Sequence, residues 1–160
     1  MIDRSRSPEA EREIVVFRLA ESVYGIDIDV VREIIRMQAI TPVPNAPDFI
    51  EGVTNLRGKI CPVMDMRRRF GLALGRITAD SRIVVIEIDG EDVGMIVDGV
   101  EEVLRLPGSS VEPAPLGEVE SMNTDIIEGI ANLGTRLIVM FDAERILSDG
   151  PDGESEGIAA

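Results

Sequence analysis

The chain carries the same sequence pattern twice, and this duplication restricts its fold more than any other feature. Residues 51–70 read EGVTNLRGKICPVMDMRRRF and residues 128–147 read EGIANLGTRLIVMFDAERIL, so the two segments align without a gap 77 positions apart. A second pair of segments, which begin at Ile14 and Ile83, aligns 69 positions apart. A duplicated pattern predicts two structurally similar halves. Features that both halves share are expected to be scaffold, whereas features found in one half are candidates for function.

Short β-branched runs separated by turn residues predict a mainly β fold. We expect strands at residues 14–19, 23–28, 52–56, 59–64, 82–88, 93–97, 126–133 and 136–141. We expect short helices at residues 30–35, 66–72 and 143–147, capped by Asp29, Asp65 and Asp142, and a weaker one at residues 101–104. Many short strands favour small closed barrels or a sandwich, and we expect two small β-barrels packed side by side. The pattern does not decide whether strands are exchanged between the barrels.

The composition excludes several classes of function. The 160 residues have a net charge of −14, which would repel nucleic acid and anionic lipid, so neither is an expected partner. No apolar run is long enough to span a membrane, so direct membrane insertion is not expected. Residues 1–12 are expected to form a disordered arm, residues 13–147 the folded domain and residues 148–160 a flexible acidic tail. A single cysteine and the lack of a signal-peptide pattern indicate a cytoplasmic location.

The residue types needed for catalysis are poorly represented. The chain has no histidine, which removes the usual general base and the commonest metal ligand. Cys61 aligns with Ile138 in the second copy, so it is interpreted as a small buried apolar residue. Carboxylate pairs such as Glu101 and Glu102 lack the spacing of a calcium loop. No catalytic residue, metal site or cofactor is therefore predicted.

Four stretches of the chain resemble the CheW family of bacterial chemotaxis coupling proteins. They are YGIDIDVVREI, then TPVPNAPDFIEGVTNLRGKICPVMDMRRRFGL, and in the second half VGMIVDGVEEVL with EGIANLGTRLIVMFDAERIL. The resemblance covers residues 13–147. It implies two five-stranded SH3-like β-barrels around a shared hydrophobic core, with short helices. It also implies a non-enzymatic adaptor that couples the cytoplasmic tip of chemoreceptors to the regulatory domain of the histidine kinase CheA.

Arg57 is the clearest candidate for a functional residue. The turn Asn-Leu-Arg-Gly in the first copy becomes Asn-Leu-Gly-Thr in the second, so the turn itself does not need an arginine. For an arbitrary protein, a solvated turn arginine would be the more common interpretation. The resemblance instead implies a role for Arg57 in receptor coupling and kinase control, and it implies that Glu33 pairs with this arginine.

The resemblance implies a receptor-binding role for Val31, Val100, Val103 and Gly52. Val31 and Val100 are related by the internal repeat, so both are expected at the junction of the two halves. The alternative is that the three valines are ordinary core residues. Gly52 recurs as Gly129, which favours a backbone role close to the site.

Pro42, Val43, Phe49 and Ile50 occur in the first half alone, and they are candidates for contact with CheA. An equally probable alternative is a loop made rigid by prolines, with Phe49 in the core. The three arginines at residues 67–69 are interpreted as a solvated helix face, because consecutive helical residues point in different directions.

Further copies of the chain are possible partners in array rings, and recruitment to receptor arrays at the inner membrane is expected. Two alternatives to the chemotaxis adaptor remain. One is a CheW-like adaptor of a non-flagellar pathway, which would serve twitching motility, development or second-messenger control. The other is a small enzyme that uses carboxylates as acid and base, which the missing histidine makes improbable.

Overall fold

The computed structural model describes residues 10–73, 75–113 and 126–146, and within these ranges the chain is mainly β. The strands are β1 (Glu11–Leu19), β2 (Ser22–Asp27), β3 (Val31–Arg36), β4 (Ile50–Leu56), β5 (Lys59–Asp65), β6 (Arg82–Ile88), β7 (Glu91–Val97), β8 (Gly99–Pro107), β9 (Val111–Glu112), β10 (Ile127–Asn132) and β11 (Leu137–Phe141). One short helix, α1 (Met66–Arg69), follows β5, and single 3₁₀ turns precede β3 and β9 and follow β11.

The strands form two sheets that use the same order. The first sheet runs β3-β6-β7-β5-β4, and the second runs β8-β1-β2-β11-β10-β9. Each places an antiparallel hairpin beside a parallel contact, between β5 and β7 in the first sheet and between β2 and β11 in the second. We call them the first and second barrel. The predicted fold class is therefore confirmed, and the sheets show that each barrel takes strands from both copies of the repeat.

A consecutive stretch of chain joins the two ends of each sheet. After β3 the chain continues to Thr41, which pairs with Val53 of β4. After β8 it continues into β9, where Glu112 pairs with Ile130 of β10. The strand that begins each sheet therefore leads on to the segment that completes it, and this connection curls the sheet into a small barrel.

Two predicted helices are wrong. Residues 31–35 and 101–104 lie in strands β3 and β8, which pair with β6 and β1, and Val30 ends the 3₁₀ turn before β3. Asp29 lies in a 3₁₀ turn and caps no helix. Pairing with a neighbouring strand overrides the weak local helix signal. It gives hydrogen-bond partners to the backbone groups of these short β-branched segments, whereas a helix of one turn would leave most of those groups without a partner.

The other predicted elements are present with altered ends. The side chain of Asp65 accepts a hydrogen bond from Arg67 N at 3.0 Å, so the predicted cap is confirmed, but α1 ends at Arg69. Asp142 accepts a hydrogen bond from Glu144 N at 3.0 Å and begins a 3₁₀ turn in place of the predicted helix. At the N-terminus, residues 11 and 12 of the predicted arm belong to β1. Residues 1–9 of that arm and the predicted tail at residues 148–160 lie outside the described ranges.

Three apolar clusters form the core. The largest lies between the barrels and contains residues of both, with Phe17, Tyr24 and Phe141 among its fully or nearly buried side chains. Phe17 and Phe141 meet edge to face, with ring centroids 5.6 Å apart. Each barrel also has its own smaller cluster, around Ile14 in the second and around Ile83 in the first. The two barrels thus share one hydrophobic core.

The arginines at residues 67–69 were predicted to form a solvated helix face, and this prediction is wrong. Arg67 forms an ion pair with Asp98, with Nη2 and Oδ2 2.6 Å apart, and Arg69 is buried and donates to the backbone carbonyl of Ile146. Arg68 is exposed. The prediction failed because the helix is a single turn packed between the two halves, so two of its three arginines reach groups that lie far along the chain.

Arg12, which was predicted to lie in the disordered arm, is a second buried arginine that links distant parts of the chain through ion pairs. Its guanidinium is almost completely buried and lies 2.9 Å from Asp27 and 2.8 Å from Glu128. These three residues belong to β1, β2 and β10. A buried guanidinium must be paired to be tolerated, and this one links the start of the chain to the last hairpin of the same barrel.

Candidate partner-binding groove

Arg57 occupies the tip of the β4–β5 hairpin. Its φ of 54° and that of Gly58, 83°, are both positive, which is the condition that a tight type I′ hairpin turn requires. The side-chain oxygen of Asn55 accepts a hydrogen bond from Gly58 N at 2.8 Å. The turn therefore holds Arg57 in an unusual backbone conformation and projects its side chain, which is 70% exposed, into solvent.

Glu33 holds the Arg57 guanidinium with both carboxylate oxygens. Glu33 lies on β3 and Arg57 lies on the turn between β4 and β5, so the ion pair links the two strands at opposite ends of the first sheet. Hydrogen bonding from Arg57 lowers the pKa of Glu33 below its ordinary value. An exposed pair of this kind contributes little to stability, but it fixes the direction of the arginine.

The second barrel has a related pair that the sequence comparison did not reveal. Glu102 is the counterpart of Glu33 in the repeat, and Arg136 Nη1 lies 2.6 Å from its Oε2. Arg136 is the counterpart of Lys59, two residues after the position of Arg57. The acidic anchor is thus common to both halves, whereas an arginine at the tip of the turn belongs to the first barrel.

The valines implied by the resemblance lie on the two strands that flank the junction of the barrels. β3 and β8 each stand at the end of their sheet order. Val31 and Val100 are half-buried and pack against the shared core. Val103 lies opposite Val15, on the same face of β8 as Val100, and is 51% exposed. The structure therefore brings all three to the junction, with Val103 the one that is most open.

Ile34 is an additional apolar residue that the sequence analysis missed. It lies opposite Val84 of the shared core and is 40% exposed. In the repeat it is the counterpart of Val103, so the offset that identified Val31 and Val100 would also have found this residue. We call the surface lined by Val31, Ile34, Val100 and Val103 the edge groove.

A cavity opens within the edge groove. Its volume is about 230 Å³, and residues of both barrels line it. Ile34 and Arg82 come from the first barrel, Arg18, Gly99 and Val100 come from the second, and Asp80 comes from the segment that precedes β6. Ile34 and Val100 contribute aliphatic surface beside the charged groups of the cavity, a combination suited to a partner segment that carries both apolar and polar side chains.

Gly52 acts as scaffold, as its recurrence in the repeat indicates. A Cβ atom at this position would lie 2.2 Å from the backbone oxygen of Thr41, and one at Gly129 would lie 2.4 Å from that of Glu112. These contacts are the two places where the chain completes each barrel. Both glycines are needed because a backbone passes directly over them.

The four candidates for kinase contact differ in exposure. Pro42 and Val43 are exposed, with Val43 at 42%. Phe49 and Ile50 are half-buried against the shared core, and the guanidinium of Arg69 lies 4.9 Å from the centre of the Phe49 ring. The geometry therefore favours a packing role for Phe49 and Ile50 and leaves Pro42 and Val43 accessible.

The described ranges also bear on metal binding, thiol reactivity and membrane crossing. They contain no group of three His, Cys, Asp or Glu side chains that could hold a metal ion. Cys61 is buried, and burial raises the pKa of its thiol, which disfavours a reactive thiolate. No helix in the described part of the chain has the length and apolar character needed to cross a membrane.

Comparison with known proteins places this geometry in a family. The model of the CheW-like domain matches residues 13–150. Chemotaxis protein CheW of Klebsiella aerogenes is 38% identical over 137 residues, which cover 86% of this chain and 82% of that protein. Chemotaxis protein CheW of Bacillus subtilis is 36% identical over 135 residues, which cover 84% of this chain and 85% of that protein.

A solved structure agrees with the sequence relatives. The scaffolding protein TtCheW from Thermoanaerobacter tengcongensis superimposes with a TM-score of 0.80 at 41% sequence identity, and the match covers 89% of this chain and 97% of that one. The barrels, the repeat and these similarities lead to the same assignment. The chain belongs to the CheW family of chemotaxis proteins.

Proposed function

We propose that this protein is a non-enzymatic adaptor that couples the cytoplasmic tip of chemoreceptors to the regulatory domain of the histidine kinase CheA. The observation that carries the proposal is the edge groove, in which Ile34 and Val103 are exposed beside the half-buried Val31 and Val100. A hairpin tip of two helices can present an apolar stripe to such a surface. Membership of the CheW family, whose relatives are named as chemotaxis and scaffolding proteins, supports the same function.

Arg57 would control signalling in this adaptor. Because Glu33 fixes its guanidinium outside the edge groove, Arg57 can form directed hydrogen bonds to a partner without first losing side-chain freedom. Pro42 and Val43 supply accessible apolar surface on the first barrel for CheA. Contacts with receptor and kinase on one small domain would permit extended arrays, in which copies of this chain could also contact one another. The protein would act in the cytoplasm, recruited to receptor arrays at the inner membrane.

The first test is binding of the purified protein to a CheA regulatory domain and to a receptor-tip fragment from the same organism. We expect both to bind, and we expect Arg57→Glu to remain folded while losing kinase control. Arg136→Glu is the matched control, since it breaks the corresponding pair of the second barrel. Normal binding and kinase activation by Arg57→Glu would contradict the role of Arg57.

A second pair of variants tests the edge groove. Val103→Asp places a charge among its aliphatic residues and should weaken receptor binding at least tenfold, because a desolvated carboxylate costs more than about 1.4 kcal/mol. Leu137→Asp is the control, since Leu137 is similarly exposed, at 59%, but lies on β11, which β1 and β2 separate from β8 in the sheet. Equal receptor affinity of the two variants would exclude the edge groove as the binding site.

A further inference from the structure

The two strands that flank the edge groove, β3 and β8, carry similar aliphatic residues, and each strand also carries one arginine at the same repeat position. Arg36 follows Ile34 on β3, and Arg105, its counterpart in the repeat, follows Val103 on β8. Strand register places both arginines on the same face as these aliphatic residues, because Arg36 lies opposite Arg82 and Arg105 lies opposite Glu13. A helix laid along such a groove would meet nearly the same side chains in either of two opposite directions.

The charges around the two arginines break this symmetry. Arg105 lies 3.6 Å from Glu13 and 3.9 Å from Glu11, so acidic residues surround it. Arg36 faces Arg82 directly across the β3–β6 pair. Within the described ranges, no carboxylate lies at ion-pair distance from either Arg36 or Arg82.

The Arg36–Arg82 pair forms few hydrogen bonds within the described part of the chain. Arg82 donates to the backbone carbonyls of Ala79 and Ser81 at 2.8 Å. Arg18, which lines the cavity together with Arg82, is already neutralised, since its Nη1 lies 2.5 Å from Glu101 and its Nη2 lies 3.9 Å from Asp80. Like charges directly opposite each other on neighbouring strands destabilise a sheet. In a chain with a net charge of −14, this unneutralised pair is a local exception.

We propose that the Arg36–Arg82 pair is an acceptor for a single carboxylate of the partner segment, and that this contact selects the direction in which the segment lies in the edge groove. The inference rests on the proposed function and adds the chemistry of the partner: an aliphatic helical segment with an aspartate or glutamate beside its apolar stripe. Side chains opposite each other on paired strands have Cβ atoms about 5 Å apart, so two guanidiniums can hold one carboxylate between them. In the reverse direction, the same carboxylate would meet Glu11 and Glu13.

Three matched substitutions test the pair in the full chain. Arg36→Gln and Arg82→Gln should each weaken binding of the receptor-tip fragment about fivefold, whereas Arg105→Gln should leave the affinity within about twofold. The free protein should keep or raise its Tm in Arg36→Gln and Arg82→Gln, because each removes a repulsion. A residue that merely supported the fold would lower both Tm and affinity.

The partner carboxylate is located by changing each acidic residue of the receptor-tip fragment to its amide. One such change should cost wild type about fivefold in affinity and cost Arg82→Gln almost nothing, which is the signature of a direct contact in a double-mutant cycle. If wild type binds and all three arginine variants bind equally well, or if no carboxylate couples to Arg82, the inference is overturned and the adaptor function stands. If wild type does not bind the fragment, or if Val103→Asp binds it as tightly as wild type, the assignment of the edge groove fails and this inference fails with it.

Discussion

The two barrels share an acidic anchor but present it differently. Glu33 and Glu102 occupy the same position in the repeat, and each pairs with an arginine from the hairpin that follows. In the first barrel the arginine lies at the tip of a turn and is 70% exposed, whereas Arg136 in the second barrel is 36% exposed. The ion pair itself is therefore scaffold, and the difference that matters is how far each guanidinium projects toward a partner.

The largest expected effect tests whether the two barrels are completed in the same way. Gly52→Ala and Gly129→Ala should each destabilise the protein by about 2 kcal/mol or more, because the new Cβ would collide with a backbone oxygen that cannot move aside. Chemical denaturation measures both. Gly58→Ala and Gly134→Ala are the controls, since both have a positive φ but no atom within 4 Å of an added Cβ, so they should cost about 1 kcal/mol. Similar losses in all four variants would contradict the close approach as the cause.

A second prediction concerns a tie that one barrel alone possesses. Arg12→Met should destabilise the protein by about 2 kcal/mol, because it leaves Asp27 and Glu128 facing each other without a cation. The expected loss is below that of a fully buried pair, since both carboxylates keep some contact with water. In the first barrel the corresponding residue is Ser81, so Ser81→Ala is the matched control and should have a smaller effect. A denaturation midpoint for Arg12→Met equal to that of wild type would show that the tie is not needed.

Exchanging the charges of each pair separates orientation from scaffold. Glu33→Arg combined with Arg57→Glu should restore the ion pair and the stability of the fold but leave kinase control several-fold impaired, because the tip of the turn then carries a carboxylate. The same exchange at Glu102 and Arg136 should restore both. Kinase activation in reconstituted arrays is the readout. Full recovery of kinase control in the first exchange would mean that the pair matters and the identity of the exposed residue does not.

The smallest effect concerns the titration of Glu33. Since Arg57 lowers the pKa of Glu33 in the folded protein, the pair contributes stability at pH values above the ordinary range of a glutamate. That contribution is lost as the pH falls through the lowered pKa. In Arg57→Gln the pKa of Glu33 should return toward its ordinary range, which NMR of the side-chain carboxyl carbon can follow. An unchanged titration would show that the pair does not persist in solution.

Much of the fold was accessible from the sequence, and the failures have physical causes. The repeat predicted two similar halves, and turn residues located the hairpins. The segments at Val31 and Glu101 were misread as helices because their pairing partners, β6 and β1, lie more than 40 residues away along the chain, and local propensity carries no record of them. The exchange of strands between barrels was left open for the same reason.

The sequence named some of the residues that lie at the candidate site, but it missed Ile34 and could not give the shape of the site. The repeat and the family resemblance identified Arg57, Glu33 and the valines, and the structure shows where each lies. Neither could show that Arg67 and Arg69 point inward, since that depends on a single helical turn being packed between halves. The opposition of Arg36 and Arg82 depends on strand register and was likewise inaccessible.

The exchange of strands also sets the order in which the chain can fold while it is being synthesised. The first barrel is complete once β7 has left the ribosome, but β1 and β2, which are made earliest, belong to the second barrel and must wait for β8, β10 and β11. At typical rates of synthesis, the interval from β2 to β11 lasts about 5–20 seconds. Throughout it, the aromatic hairpin of Phe17 and Tyr24 has no completed barrel to enter. The last hairpin to be made therefore decides when the nascent protein ceases to be vulnerable to aggregation.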